Sequence, residues 1–316
     1  MSKIIQCVPN FSEGRDLSVI DKITAEIKKV KGVKLLDVDP GYDTNRTVVT
    51  MVGEPEAVME AAFQAVKKSH ELIDMRKHKG AHPRFGACDV CPIIPVSGVT
   101  MDDCVGYAHK LGKRLGEELD FPVYFYEYAA TSKERKNLAK VRAGEYEGLE
   151  AKLKDPQWLP DFGPAEFKPA KGATAVSARD FLIAYNLNLN TTNAKKANFI
   201  ALRLREQGYP KKDENDKPLL DESGKPVMNP GLFKNCKAIG WYVDDFKRAQ
   251  ISINLTNYHV TNMHHVFDAA SKLAEEKGLR ITGSEIVGVV PKEALIRQEF
   301  IILKKPIAVQ VKVKRN

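Results

Sequence analysis

Cysteine is scarce in these 316 residues: there are five, an odd number without the spacing of a disulfide framework. That excludes a small secreted scaffold stapled by disulfides and makes a reducing cytoplasm the expected compartment. No apolar run approaches the roughly 20 residues that a bilayer-crossing helix needs. The opening stretch, residues 1–8, reads as a strand without the hydrophobic core of a signal peptide. No P-loop and no G-x-G-x-x-G turn occurs, so neither common nucleotide fingerprint applies. No Ser or Cys stands in a nucleophile elbow. Cys88 and Cys91 have the spacing of a redox or zinc pair, but no second ligand pair matches it. Three residues apart in an extended segment, their side chains are expected on opposite faces. His259, His264 and His265 miss the i, i+4 relation, and no metal is expected.

What is present is a soluble, mildly basic chain, with 43% hydrophobic and 28% charged residues and a net charge of +8. A positive balance favours anionic partners. Nucleic acid calls for a basic stripe interleaved with aromatics, or a known module. Here Lys and Arg are scattered among almost as many acids. Neither nucleic acid nor a membrane is expected as a partner; an anionic small molecule is.

The chain is long enough for two domains. Apolar spacing predicts strands at 3–8, 34–38, 47–52 and 90–96, with helices behind Leu17 and Pro55, so the order to Val96 is β-α-β-β-α-β. A helix from Thr100, a strand at 122–128 and a charged helical stretch at 132–143 follow. Asn10 and Ser12 fall at a strand-to-helix junction, a place where helix N–H groups can cap locally or receive an anion. From Glu145 to Arg179 the prolines Pro156, Pro160, Pro164 and Pro169 interrupt every periodicity. That segment is either a flexible linker or a ligand-wrapping connector. Beyond it the order is repeated: strand 180–190, helix 193–205, strands 238–243 and 250–256, a helix from Val260, and a strand at 280–290. The charged, proline-bearing stretch 208–235 reads as an exposed insertion.

The strands 181–190 and 250–256 alternate apolar residues with Asn, Gln, Ser and Thr. Each thus has an apolar face and an amide-rich one. A βαββαβ unit packs both helices on one side of its sheet, so the second face is left for water or for a polar ligand.

The densest cluster of chemistry is the loop 75–87, which carries His78, His82, Arg76, Arg84, two lysines, Gly80, Gly86 and Pro83. Pro83 biases His82 away from the helical region, and the glycines permit tight turns or close approach. A histidine held in this way can take and return a proton near neutral pH, with Arg84 as a neighbour. A surface histidine in a basic turn is the plain alternative.

Taken together, 8–16, the run from Gly80 to Ala87 with 89–92, the segment 163–189 and the Gly240-Trp241-Tyr242 and 249–255 stretches resemble the formiminotransferase family over nearly the whole chain. The resemblance implies an α+β fold of two ferredoxin-like lobes from an internal duplication, residues 1–178 and 179–316, with a ligand cleft between them. It implies transfer of a formimidoyl group from N-formimidoyl-L-glutamate to N5 of tetrahydrofolate, a co-substrate, in histidine breakdown, with no metal. The family's catalytic histidine falls on His82. Its folate-binding segment falls on Gly163, Pro164, Ala165, Glu166, Phe167, Lys168, Pro169, Ala170, Lys171 and Gly172. Ser177 departs from the glycine often found at that strand entry. The cyclodeaminase domain of animal members has no counterpart in these residues, so release of the product is expected. A homodimer is compatible with the resemblance.

The transfer needs a proton removed from N5 and another delivered to the departing nitrogen, which one histidine can do in turn. Asp39 or Asp43 is the expected carboxylate for the protonated formimidoyl group, and Arg46 or Arg84 the expected partner of ligand carboxylates. Formyl transfer involving N-formylglutamate or 5-formyltetrahydrofolate, and plain folate binding without catalysis, stand as rivals.

Overall fold

A computed structural model describes residues 2–244 and 246–295; the end of the expected second lobe, 296–316, lies outside the described residues. The chain divides into two compact units, one ending at Asp180 and one beginning at Phe181. Both are mixed α+β.

The first unit opens with an interrupted strand, β1 (Ile4–Cys7) and β2 (Asn10–Phe11). Pro9, which has no N–H for a ladder, stands at the break. Helix α1 (Leu17–Lys29) is capped by Asp16, whose side chain accepts from the Ser18 N–H, and buries Ile20, Ile23 and Ile27. The hairpin β3 (Val33–Gly41) and β4 (Arg46–Gly53) leads to α2 (Pro55–Leu72), with Pro55 at a position where its missing N–H costs nothing. Next come β5 (Cys88–Ser97) and α3 (Met101–Leu119), the latter started by a Thr100–Asp103 capping box. Strand β6 (Val123–Glu127), short helices α4 (Leu138–Val141) and α5 (Leu149–Lys152), and β7 (Thr174–Ala178) complete the unit.

The seven strands form one sheet in which β3 pairs with β4, the β1/β2 strand lies between β4 and β5, and β7 inserts between β5 and β6, parallel to both. Ile5, Cys7, Val49, Met51, Ile93, Phe125 and Val176 turn to one face and pack with the apolar stripes of α1, α2 and α3. Each such side chain, fully buried, contributes roughly 1.5–3 kcal/mol. Val90, Tyr124, Tyr126 and Ala175 turn to the other face, under Phe85, Val141, Leu149 and Leu153.

Two expectations need correction. The helix expected over 132–143 is broken into a 3-10 turn (Glu134–Lys136) and α4. Asn137 is extended at the break and its side chain caps Ala139, an alternative to helix that asparagine offers readily. Arg135 is drawn inward instead, to Asp161 at 2.7 Å. Nor is 145–179 a free linker. Asp161 accepts from the Phe125 N–H at 2.8 Å, and Lys171 and Ala170 accept from the backbones of Ala87 and Met75 at 2.8 and 3.0 Å. The segment also ends in β7, a strand whose five residues are all buried.

The second unit holds β8 (Ile183–Leu189), α6 (Ala194–Leu204), the two-residue strands β9 (Tyr209–Pro210) and β10 (Met228–Asn229), β11 (Cys236–Val243), β12 (Arg248–Leu255), α7 (Met263–Glu275) and β13 (Ile281–Val287). Its four-stranded sheet runs β11-β12-β8-β13, antiparallel throughout. Between β9 and β10 most residues are exposed, as expected of the insertion. On the sheet, Gln250 donates to Asn188 and accepts from Trp241 Nε1, both at 2.9 Å. The amide-rich face is therefore bonded within itself.

Candidate active site

Three loops of the first unit meet at Asn45. Its side chain accepts from the Gly14 N–H and donates to the Lys79 carbonyl, each at 3.0 Å, while its own carbonyl accepts from His78 Nε2 at 2.7 Å. Asn45 is 7% exposed and sits at φ 47°, a region that asparagine tolerates better than most residues. Ala81 N–H donates to the Asp43 carbonyl at 3.1 Å. A Cβ on Gly80 would lie 2.1 Å from the Thr44 carbonyl oxygen, so what approaches this glycine closely is the neighbouring turn. On the other side Ser12 donates to the Gly86 carbonyl at 2.7 Å. The N–H groups ahead of α1 are taken by Glu13 and Asp16, which leaves that helix start to caps of its own chain.

His82 is half-buried on this framework. Its Nδ1 lies 2.7 Å from the Pro83 carbonyl oxygen. That oxygen can only accept, so Nδ1 carries the proton and Nε2 is left with its lone pair. Burial, then the guanidiniums of Arg46 and Arg142, pull the ring's pKa down to about 3. His82 is therefore neutral at ordinary pH.

What holds the two guanidiniums there is Asp89, which is fully buried and, as an anion, partly offsets their effect on His82. Against β2, Asn10 stands opposite Val90 and Phe11 opposite Cys88, so Asp89 is an extra residue in β5, a bulge. Arg46 Nη1 and Arg142 Nη1 both donate to its Oδ2, the second at 2.6 Å. Arg46 Nε donates to Asn10 at 3.1 Å, and Arg142 reaches the Pro83 carbonyl at 3.5 Å. Burial would raise the Asp89 carboxyl, but the two guanidiniums outweigh it and hold the group below the usual carboxylate range. Asp89 Oδ1 and Arg142 Nε are buried with no partner among the described residues.

The bulge also corrects the reading of Cys88 and Cys91. The extra residue puts both thiols into the helical-face core, where Cys91 lies 3.6 Å from Cys7, and burial pushes the Cys7 and Cys88 thiols up. Among the described residues no group of three or more His, Cys, Asp or Glu is placed to hold a metal ion.

The other candidates fall as follows. Arg46 joins the His82 cluster. Asp39 pairs in register with Val48 on the face that carries Arg46, and Asp43 adjoins the His82 loop through its carbonyl. Arg84 does not reach His82. Its guanidinium forks onto Glu147 at 2.9 and 2.5 Å, beside Tyr146, at a pocket lined also by Met75, Arg76, His78 and Lys79. Of the 163–172 segment, Gly163 packs against the Phe121 carbonyl, and Lys168 pairs with Asp120 and Glu166. Phe167 meets Tyr146, and Gly172 bridges to Gly86. The segment thus runs along the far end of the His82 loop. Asp89 and Arg142 were not singled out from the sequence for this site. An acid inside an otherwise apolar strand is a signal, since buried charges must be paired; Arg142, in a charged stretch, gives none.

Fold and site define a two-unit α+β protein with a histidine-centred cluster on the sheet of its first unit. The chain belongs to the formiminotransferase family: the formiminotransferase domain's N-terminal subdomain matches residues 4–179 and the formiminotransferase domain matches 184–314. It is 46% identical over 323 residues to a formimidoyltransferase-cyclodeaminase of Dictyostelium discoideum, covering 100% of this chain and 57% of that protein. It is 50% identical over 296 residues to the rat formimidoyltransferase-cyclodeaminase, covering 94% and 52%. With the glutamate formimidoyltransferase of Streptococcus pyogenes serotype M1 it shares 41% identity over 296 residues, 94% of this chain and 92% of that one. The chain thus spans about half the length of the first two relatives. No helix among the described residues is long and apolar enough to cross a membrane.

Proposed function

We propose that this chain transfers the formimidoyl group of N-formimidoyl-L-glutamate to N5 of tetrahydrofolate, giving 5-formimidoyltetrahydrofolate and L-glutamate. The observation that carries the proposal is His82, which is neutral, fixed by Pro83 with Nε2 unprotonated, and set beside two arginines that share one carboxylate. N5 attacks the amidine carbon and loses its proton to Nε2 as the tetrahedral centre forms. The histidinium returns that proton to the glutamate nitrogen as the old C–N bond breaks. Holding both substrates against the same loop provides much of the remaining acceleration.

The 163–172 segment, which shares backbone bonds with 85–87, is the folate-binding part on this reading. Asp39, on the sheet face that carries Arg46, and Asp43, whose carbonyl bonds the His82 loop, are the carboxylates assigned to the donor on the same reading. We also infer that residues 1–178 and 179–316 are ferredoxin-like lobes from one duplication. The supporting fact is that both sheets place the first strand of the β-α-β-β-α-β run between its third and fourth strands. The relatives' names support the transfer itself. The decisive assay mixes purified protein with tetrahydrofolate and, separately, N-formimidoyl- and N-formylglutamate. Turnover with the first donor is expected; turnover with only the second would replace this reading with formyl transfer, and turnover with neither would leave a binding protein.

A further inference from the structure

We propose that Arg46 and Arg142, yoked by Asp89, form the receptor for a carboxylate of the glutamate donor, with Arg142 the residue that makes the site selective for an anion. This rests on the donor reading above, but its physical argument is separate. The groups that face His82 come from β4 (Arg46), from the end of α4 (Arg142), from the β5 bulge (Asp89) and from the loop itself (the Pro83 carbonyl). Around Asp89 itself two guanidiniums share one carboxylate, so the pair of arginines is only partly matched by it. Arg84, the loop arginine next to Pro83, is paired instead with Glu145 and Glu147.

The two arginines are not in open water. The Arg46 and Arg142 side chains are 11% and 16% exposed, and a guanidinium so withdrawn from solvent is stable only when paired. Both guanidiniums spend Nη1 on the same oxygen, Asp89 Oδ2, and Nη2 of neither makes a hydrogen bond within the described residues. Arg142 Nε is a further buried donor without a partner among the described residues. Guanidinium N–H donors left over after Asp89 suit the planar, two-oxygen geometry of a carboxylate.

The position gives the receptor a second effect. Burial is the larger cause of the low His82 pKa, and the two guanidiniums add to it; a carboxylate bound between them offsets their share, so the ring becomes a stronger base when a donor is seated. An empty site keeps the weaker base and a filled one the stronger.

The test uses the whole protein and L-glutamate, the product, as the probe. Calorimetry gives its affinity, and the imidazole resonance of His82 gives that ring's titration with and without saturating glutamate. Arg142→Met should weaken glutamate binding and raise the donor KM by roughly 30-fold or more, the usual consequence of leaving a partly buried charge unmatched. The tetrahydrofolate KM should stay within about 2-fold. Arg142→Lys, which keeps the charge but not the fork, should recover part of the loss. In the wild type, glutamate should move the His82 titration upward. If Arg142→Met fails to fold, the lysine variant and the wild-type titration decide alone. Unchanged glutamate affinity in the variants, or a His82 titration indifferent to glutamate, overturns the receptor even where formimidoyl transfer proceeds. Conversely, glutamate binding that depends on Arg142 in a protein without transfer activity would keep the receptor and sink the proposed function.

Discussion

His78 Nε2 and the main-chain oxygen of Asn45, 33 residues apart in sequence, lie 2.7 Å from each other. A carbonyl only accepts, so His78 donates through Nε2 and is held as a strut. Four residues later, His82 points its bonded nitrogen at the adjacent Pro83 and leaves the other free. Two histidines in one loop thus differ: one is tied across the fold, and the other keeps Nε2 free for the proposed proton transfer.

Asn45 carries more of that framework than any single contact indicates. Replacement by Ala removes the bonds to Gly14 and Lys79 and leaves a Cβ residue at positive φ without the local bonding of asparagine. Asn45→Ala should therefore lower unfolding free energy by about 2–4 kcal/mol. Asn45→Gly loses the same bonds without the backbone strain and should be less harmful by about 1 kcal/mol. Urea denaturation of both variants checks the order; an Ala variant no worse than Gly would refute the strain.

His70 gives the chain an acid-sensitive point away from the site. Both its ring nitrogens are buried without partners among the described residues, and it meets the Phe121 ring edge-on with centroids 4.3 Å apart. Burial, aided by Lys171, lowers its pKa to about 3. Above pH ~6.5 the group is neutral in folded and unfolded chains alike and contributes nothing. As pH falls from ~6.5 toward 3 the unfolded chain binds the extra proton, and stability is lost at up to about 1.4 kcal/mol per pH unit. His70→Met should be near neutral at pH 7.5 and more stable than wild type by about 1–2 kcal/mol at pH 5. A constant difference in denaturant midpoint between the two pH values would show that His70 does not resist the proton.

How much of this was legible in the sequence depends on whether the cause was local. Periodicity found the strands at Ile4, Leu35, Val49 and Ile93 and the helices at Ile20 and Val58, because each buries one stripe or one face. Strand β7 escaped: its residues, Thr174 to Ala178, are all buried between β5 and β6 and show no alternation. The Asp89 bulge escaped because counting residues along an extended strand assumes a constant register, and the register is set by β2, some 80 positions earlier. His82 was visible through Pro83. Arg142 was not, since only the fold brings it to Asp89.

Cys88 and Cys91 are packing residues in the helical-face core, and the proposed transfer uses no thiol. The double Ala variant should lose about 1 kcal/mol of stability per sulfur removed and keep its turnover at a temperature where it is folded. Loss of turnover in a folded double variant, or stoichiometric zinc in the wild type, would contradict this.

His82→Ala is the substitution on which the mechanism stands. The ring is half-buried, and outside its own residue pair it makes no hydrogen bond within the described chain. Its removal should therefore leave the denaturation midpoint near that of wild type. Turnover should fall by roughly 10²–10⁴-fold, the worth of a general acid–base group, equivalent to about 3–5 kcal/mol of transition-state stabilisation. Glutamate and tetrahydrofolate affinities should change little, since the proposed contacts of both lie on other side chains. His78→Ala should show the opposite pattern, a stability loss of about 1–3 kcal/mol from the lost Asn45 bond and buried ring with a smaller effect on turnover. Denaturation curves and steady-state rates on the two variants separate strut from catalyst. Equal, modest losses of turnover in both would reduce the loop to a basic binding element, and wild-type turnover in a folded His82→Ala protein would remove the histidine from the chemistry altogether.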